Sequence, residues 1–123
     1  MAGLRFAFPV EYVPDIDSAK RFYVDVFGYR VERDHPVFVQ LRGADGNAFA
    51  LAGDQPMEPG KNLELWWEVD DAEAALRELS SKAEIAMPLQ QYPFGKVFAV
   101  ANPAGERCYV LEWATERPSQ PVE

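Results

Sequence analysis

Residues 13–30, VPDIDSAKRFYVDVFGYR, decide the fold. Asp15 or Asp17 can accept from the free N–H groups of a helical first turn, and Asp15, Asp17 and Ser18 place oxygen atoms where the helix dipole favours them. Gly28 supplies a left-handed stop. Between these signals Ala19, Phe22, Tyr23, Val26 and Phe27 recur at three- and four-residue spacing, which predicts one apolar helix face in need of a sheet. Residues 5–13 ahead of the helix are rich in Phe, Val and Tyr and read as a strand, with Pro9 tolerable only at an edge or irregular position.

The same unit recurs downstream. A strand at 63–69, LELWWEV, precedes a helical stretch at 71–81, DAEAALRELSS, in which Ala72, Ala75, Leu76 and Leu79 share a face. Strands follow each helix. In the first half, 29–32 and 37–42 are separated by Asp34, His35 and Pro36, and GADGN at 43–47 turns into a strand at 48–52. In the second, a short strand around 84–89, with Pro88 near its end, leads to strands at 96–101 and 107–113 joined by the turn NPAGE at 102–106. VFVQLRGADGNAF (37–49) can be laid on VFAVANPAGERCY (97–109) with one gap. Each half therefore reads β-α-β-β-β, and a pattern of this length seen twice describes two modules of one domain. The expected organisation is a single domain over 1–123: module one at 5–53, a Pro- and Gly-rich linker at 54–62, module two at 63–113, and a polar tail at 114–123 that frays.

Composition narrows the function classes. A chain of 123 residues, 48% of them hydrophobic, suits one core. A net charge of −8 opposes binding to nucleic acid or anionic membranes and favours a cationic partner. No apolar run approaches a membrane span, and MAGLRFAF lacks the pattern of an export signal, so a cytoplasmic protein is expected. The single Cys108 excludes an internal disulfide framework and reads as a small buried hydrophobe. The single His35, in ERDHPV, reads as a surface loop residue. No nucleophilic triad can be assembled without a second histidine, and the glycine turns lack the helix that a phosphate loop requires.

VPDIDSAKRFYVDVFGY and NPAGER resemble the signatures of the vicinal oxygen chelate superfamily, which includes glyoxalase I, extradiol dioxygenases, and the fosfomycin- and bleomycin-resistance proteins. The resemblance covers 5–113 and implies an α+β fold in which two β-α-β-β-β modules form a curled mixed sheet around a cavity, often completed by a second subunit. In metal-dependent members four His or Glu ligands line that cavity. The corresponding positions here are Phe8, about Ala50, Glu64 and Tyr109, of which only Glu64 can bind a metal, so no metal and no cofactor are expected.

Strand alternation puts Glu64, Trp66 and Glu68 on one face and Leu65, Trp67 and Val69 on the other. Because Glu64 holds a ligand-type position, its face is expected to line the cavity, leaving Trp67 for the helix-packed core. The same counting turns Phe8, Val10 and Tyr12 inward, and Tyr109, Leu111 and Trp113 with them. Glu11 falls on the core side without an evident partner. Such an aromatic, acidic cup suits a flat, apolar or cationic small molecule, although the same aromatics could simply fill a closed core. Within the superfamily the nearest resemblance is to the bleomycin-resistance branch, echoed by NLELWWEV, QYPFG and ANPAGER. It implies Trp66 and Phe94 as stacking platforms, Phe8, Tyr12, Tyr109 and Trp113 as walls, and Glu64 or Glu68 as the partner of a ligand cation, in a homodimer. The departures are Phe94 where that branch has Trp, Asn102 for Asp, and Glu106 for Asn. The alternative is a lyase or isomerase with Glu64 or Glu68 as general base. Whether the chain is an enzyme is left open, with binding without chemistry preferred.

Overall fold

The computed structural model describes residues 3–114. Eight strands of mixed sheet and two helices give the α+β class expected, in the order β1(Arg5–Tyr12), α1(Ile16–Asp25), β2(Arg30–His35), β3(Phe38–Arg42), β4(Ala48–Ala52), β5(Leu63–Glu68), α2(Ala72–Ser80), β6(Ile85–Tyr92), β7(Gly95–Ala101) and β8(Arg107–Trp113). Two compact units are present. Phe8–Glu64 make the N-terminal unit; the described residues up to Ala7, together with those from Leu65 onward, make the C-terminal one. The tail from Thr115 lies outside the described residues.

The internal repeat is written in the strand order. In the N-terminal unit the order is β2-β3-β4-β1, and in the C-terminal unit the corresponding strands run β6-β7-β8-β5. Each unit has two antiparallel neighbours and one parallel pair, β1 with β4 and β5 with β8. The parallel partner must be reached by a crossover, and the helix with its hairpins supplies the chain for it.

Helix α1 begins at Asp15, whose carboxylate accepts from the Ser18 backbone N–H at 3.1 Å, and α2 begins at Asp71, which does the same for Ala74 at 3.1 Å. Gly28, at φ +76°, ends the first helix, with its N–H donating to the Val24 carbonyl at 3.2 Å and that of Tyr29 to Tyr23 at 3.1 Å. Ile16, Ala19, Tyr23 and Val24 pack on Val39, Leu41 and Leu51 of β3 and β4, forming the core of the N-terminal unit. The C-terminal core is Val69, Ala72, Ala75, Phe98 and Val110. Glu11 is satisfied by the Tyr23 hydroxyl, which donates to it at 2.8 Å; burial and this neighbouring carboxylate push the Tyr23 phenol above its ordinary 10.0.

Several expectations need correction. Phe22, Val26 and Phe27 do not share the buried face of α1 but stand 48%, 61% and 60% exposed. At about 100° per residue, Phe22 lies about 60° beyond Ala19, outside the stripe through Ile16, Ala19 and Tyr23, and Val26 and Phe27 come after the last helical residue, Asp25. His35 is not in a loop; it closes β2 opposite Phe38, and its Nδ1 accepts from the Val37 N–H at 3.3 Å. Strand β6 runs through Pro88 to Tyr92, because β6 has a single strand neighbour and its register shifts twice between Ile85 and Gln90, so the missing N–H breaks no ladder. Pro9 is accommodated likewise: registered pairing of β1 with β4 starts at Val10. Trp67 is half-buried with its ring edge-on to Phe6 at 5.1 Å, outside the helix-packed core, and Leu65 on the same face is exposed. Val69, just past the strand, is in the helix-packed core.

Candidate functional site

Each unit turns one sheet face toward its helix and keeps a second, helix-free face, on which the residues singled out in the sequence fall. In the C-terminal unit the register sets Trp66 beside Tyr109, Glu68 beside Leu111, and Gly95 beside Trp113. The consequence is an aromatic cluster. Trp66 stacks on Tyr109 with ring centroids 4.9 Å apart and planes 18° from parallel, and Phe94 meets Trp66 at 6.5 Å, tilted 64°. Tyr92 stacks on Phe94 at 5.3 Å and 10°. Trp66 is 5% exposed, whereas Tyr92, Phe94 and Trp113 are half-buried. The Trp113 indole N–H donates to Glu68 Oε1 at 2.7 Å, which turns this carboxylate toward the aromatic residues of β8. Arg107 donates to the Tyr109 hydroxyl at 3.4 Å and reaches the Met87 sulfur at 3.9 Å. Tyr92 escaped the sequence reading; its place two residues before Phe94, at the β6–β7 turn, is the signal that could have found it.

In the N-terminal unit, cross-strand partners define the helix-free face as Phe38, Gln40 and Arg42 on β3, Ala52, Ala50 and Ala48 on β4, and Val10 and Tyr12 on β1. Phe8, two residues before Val10, joins it and lies 5.7 Å from Phe38 between ring centroids. Glu64, only 4% exposed, has both oxygens engaged: the Tyr12 hydroxyl donates to Oε1 and the Met57 backbone N–H to Oε2, each at 2.8 Å. Tyr12 is itself tied to the 53–62 segment, since its N–H donates to the Asn62 carbonyl at 2.9 Å.

The metal-ligand positions of the superfamily do not fit a divalent ion. Phe8 and Ala50 present a phenyl and a methyl group, each Glu64 oxygen already accepts a hydrogen bond, and the Tyr109 hydroxyl accepts from Arg107. Among the described residues no group of three His, Cys, Asp or Glu gathers to hold one.

A polar chain crosses the edge of the N-terminal face. Arg42 donates to Glu32 through Nε at 3.2 Å and a terminal nitrogen at 2.7 Å, and through its other terminal nitrogen to the Gly46 carbonyl at 2.7 Å. Gln40 Nε2 also donates to Glu32, at 2.8 Å. These Arg42 bonds hold the Glu32 carboxyl below its ordinary 4.5, outweighing burial, which acts the other way. A depressed carboxyl contributes stability that is present above the unfolded value and lost as pH falls through the folded one. Urea midpoints measured downward from about pH 5 should therefore fall less for Glu32→Gln than for wild type. With both side chains about a third exposed, the difference amounts to about 0.5–1 kcal/mol. Identical acid slopes would show that the pair carries no net stabilisation.

A family model described as the Glyoxalase/Bleomycin resistance protein/Dioxygenase superfamily matches residues 6–108. The chain belongs to this superfamily. Its fold recurs in a superfamily member from Vibrio splendidus 12B01 (28% identity over 89% of this chain and 98% of that one, TM-score 0.65). It recurs also in a structure described as NAD-dependent benzaldehyde dehydrogenase from Legionella pneumophila (22% identity, 87% and 98% covered, TM-score 0.76). The methylmalonyl-CoA epimerase from Mycobacterium tuberculosis shares it at 16% identity, 89% and 87% covered, TM-score 0.67. No curated protein matches the chain. Such a spread of chemistries on one fold leaves function to be argued from this superfamily member's own side chains. No helix among the described residues is long and apolar enough to cross a membrane.

Proposed function

We propose that this superfamily member is a cytoplasmic, homodimeric binding protein of the bleomycin-resistance type, which sequesters a cationic or planar aromatic small molecule without a metal. The observation that carries the reading is the aromatic cluster of the C-terminal unit. The half-buried pair Tyr92 and Phe94 leans on a fixed Trp66–Tyr109 stack, with the Glu68 carboxylate held by Trp113 on the same strand system. Parallel rings at the β6–β7 turn suit stacking on a flat ligand, and a nearby carboxylate suits a cation. The net charge of −8 favours such a ligand's approach. The lyase or isomerase reading is weaker, because both Glu64 oxygens already accept hydrogen bonds, from Tyr12 and from the Met57 N–H, and so are turned to neighbours within the protein rather than to a substrate.

Tryptophan fluorescence of chelator-treated protein, titrated with bleomycin and with acridine orange as a planar cation, tests this reading. Saturable quenching is expected, and Phe94→Ala should weaken it by about fivefold to tenfold, the loss of one stacking platform. A flat response to both compounds, or a Phe94→Ala curve that superimposes on wild type, would remove the basis of the reading.

A further inference from the structure

We propose that the outward face of α1 is the surface through which two copies of this chain pair, antiparallel about a two-fold axis, with Arg21 of each copy facing the partner's Asp25 and the Phe22 and Val26 side chains of both packed beside them. The starting observation is an apolar patch where a surface helix is ordinarily polar. Phe22, Val26 and Phe27 are about half exposed or more, and Val31 is 40% exposed. The patch is fixed rather than loose: Phe22 meets Phe27 and Tyr23 edge-on, each at 5.3 Å between ring centroids, and Tyr23 belongs to the core of the unit. Val31 stands opposite Leu41 in register, which turns it to the side of the sheet that α1 covers. These four side chains leave roughly 400 Å² of apolar surface in water, the scale of the largest patches on monomeric proteins, which are commonly functional.

The charges beside the patch indicate what covers it. Two rows at four-residue spacing run side by side along the outer face, Ser18, Phe22 and Val26 in one and Asp17, Arg21 and Asp25 in the other. Val26, the C-cap, keeps helical backbone angles (φ −94°, ψ −43°), so the apolar row is continuous. The charged row alternates in sign and is exposed throughout. Arg21 and Asp25 enter no side-chain hydrogen bond or ion pair among the described residues, whereas the neighbouring cation, Lys20, is taken up by Asp34 at 3.2 Å.

A row of this kind is complementary to its own reverse. A two-fold axis set across α1 at the level of Tyr23 reverses the helix direction and keeps each row on its own side, so apolar meets apolar and charged meets charged. Arg21 and Asp25 lie two residues to either side of that axis, so each faces the opposite charge on the partner. A parallel pairing would instead set arginine against arginine and aspartate against aspartate. The patch supplies about half of the roughly 800 Å² per partner of a standard interface, with the charged row making up the remainder, so the pairing is expected to be reversible. Because the outer face of α1 points away from Val39, Leu41 and Leu51, pairing there leaves the helix-free face of the N-terminal unit open.

Sedimentation velocity on the full chain tests the interface. Wild type is expected to dimerise reversibly, and Arg21→Asp or Asp25→Arg, each of which sets like charges against one another, should weaken the dimer by at least about tenfold. An equimolar mixture of these two variants should dimerise again, because the carboxylates of one then face the guanidinium groups of the other. Phe22→Ser should weaken the dimer by about tenfold without loss of secondary structure by circular dichroism. Three results overturn the proposal: a wild-type chain that stays monomeric at millimolar concentration, which would leave the patch to a different partner; a dimer that all three variants leave intact, which would put the contact elsewhere; or charge variants that associate no better mixed than alone. The inference rests on the homodimer of the proposed function and not on its ligand, and the outcomes separate the two: an intact dimer removes the α1 interface alone, whereas a monomeric wild type removes the homodimer as well.

Discussion

Gly95→Ala is expected to destabilise the protein by about 3 kcal/mol or more, enough to leave much of the chain unfolded or insoluble. An added Cβ would lie 2.2 Å from the Glu112 carbonyl oxygen and 3.1 Å from both the Glu112 carbonyl carbon and the Ala114 nitrogen, and the residue sits at φ +154°. All three neighbours are backbone atoms of the adjacent chain segment, so nothing short of moving β8 from β7 can make room. The Phe94 carbonyl, which accepts from the Ala114 N–H at 2.8 Å, would be displaced with them. Gly46→Ala makes the control, since at φ +89° with nothing within 4 Å it bears only the conformational penalty, about 1 kcal/mol. Urea midpoints of the two variants should differ widely; similar midpoints would mean that the β7–β8 contact relaxes without cost.

The second large effect belongs to Trp66→Ala, expected to cost about 3–5 kcal/mol, the range for emptying a buried aromatic position. Trp66 is 5% exposed and stacked on Tyr109, so its removal leaves a hole beside β8 and forfeits a ring pair worth about 0.5–1.5 kcal/mol of that total. Trp66→Phe should recover more than half of the loss, and Tyr109→Phe, which keeps the stacked ring and gives up the hydroxyl with its 3.4 Å contact to Arg107, should lose least. The ranking Trp66→Ala, Trp66→Phe, Tyr109→Phe in thermal midpoint checks the packing role. An equal cost for all three would place the energy in the Tyr109 hydroxyl rather than in the stack. Ligand titrations are accordingly better made with Phe94→Ala, where the ring is half-buried and its loss leaves the stack intact.

Local signals carried most of the architecture. Asp15 and Asp71 cap their helices and Gly28 stops the first, all through interactions spanning a few residues. Alternation likewise placed Glu64 apart from Leu65, and Phe8, Val10 and Tyr12 on one face, because it depends only on strand geometry. What escaped depends on partners distant in sequence. Glu11 looked unpaired because its donor is a tyrosine on the next helix, and Glu64 looked available because its second donor is a loop N–H at Met57. Periodicity recruited Phe22, Val26 and Phe27 to the core since it registers spacing, not which side the sheet occupies. Gln40 was legible in principle: FVQLR alternates, and a glutamine between Val39 and Leu41 must point away from the helix.

The shifted registers of β2 and β6 bear on how copies of this chain meet one another. Each of these strands has a single strand neighbour, and each is irregular: β2 slips between Val31 and Arg33, and β6 slips twice around Pro88. An edge that can be extended by an incoming strand needs an unbroken row of donors and acceptors at a regular repeat, and neither strand offers one. Arg30, Glu32, Arg33 and Asp34 also crowd β2 with charge. Irregular, charge-bearing edges of this kind are poor templates for an incoming strand, which opposes fibre-like polymerisation at high concentration.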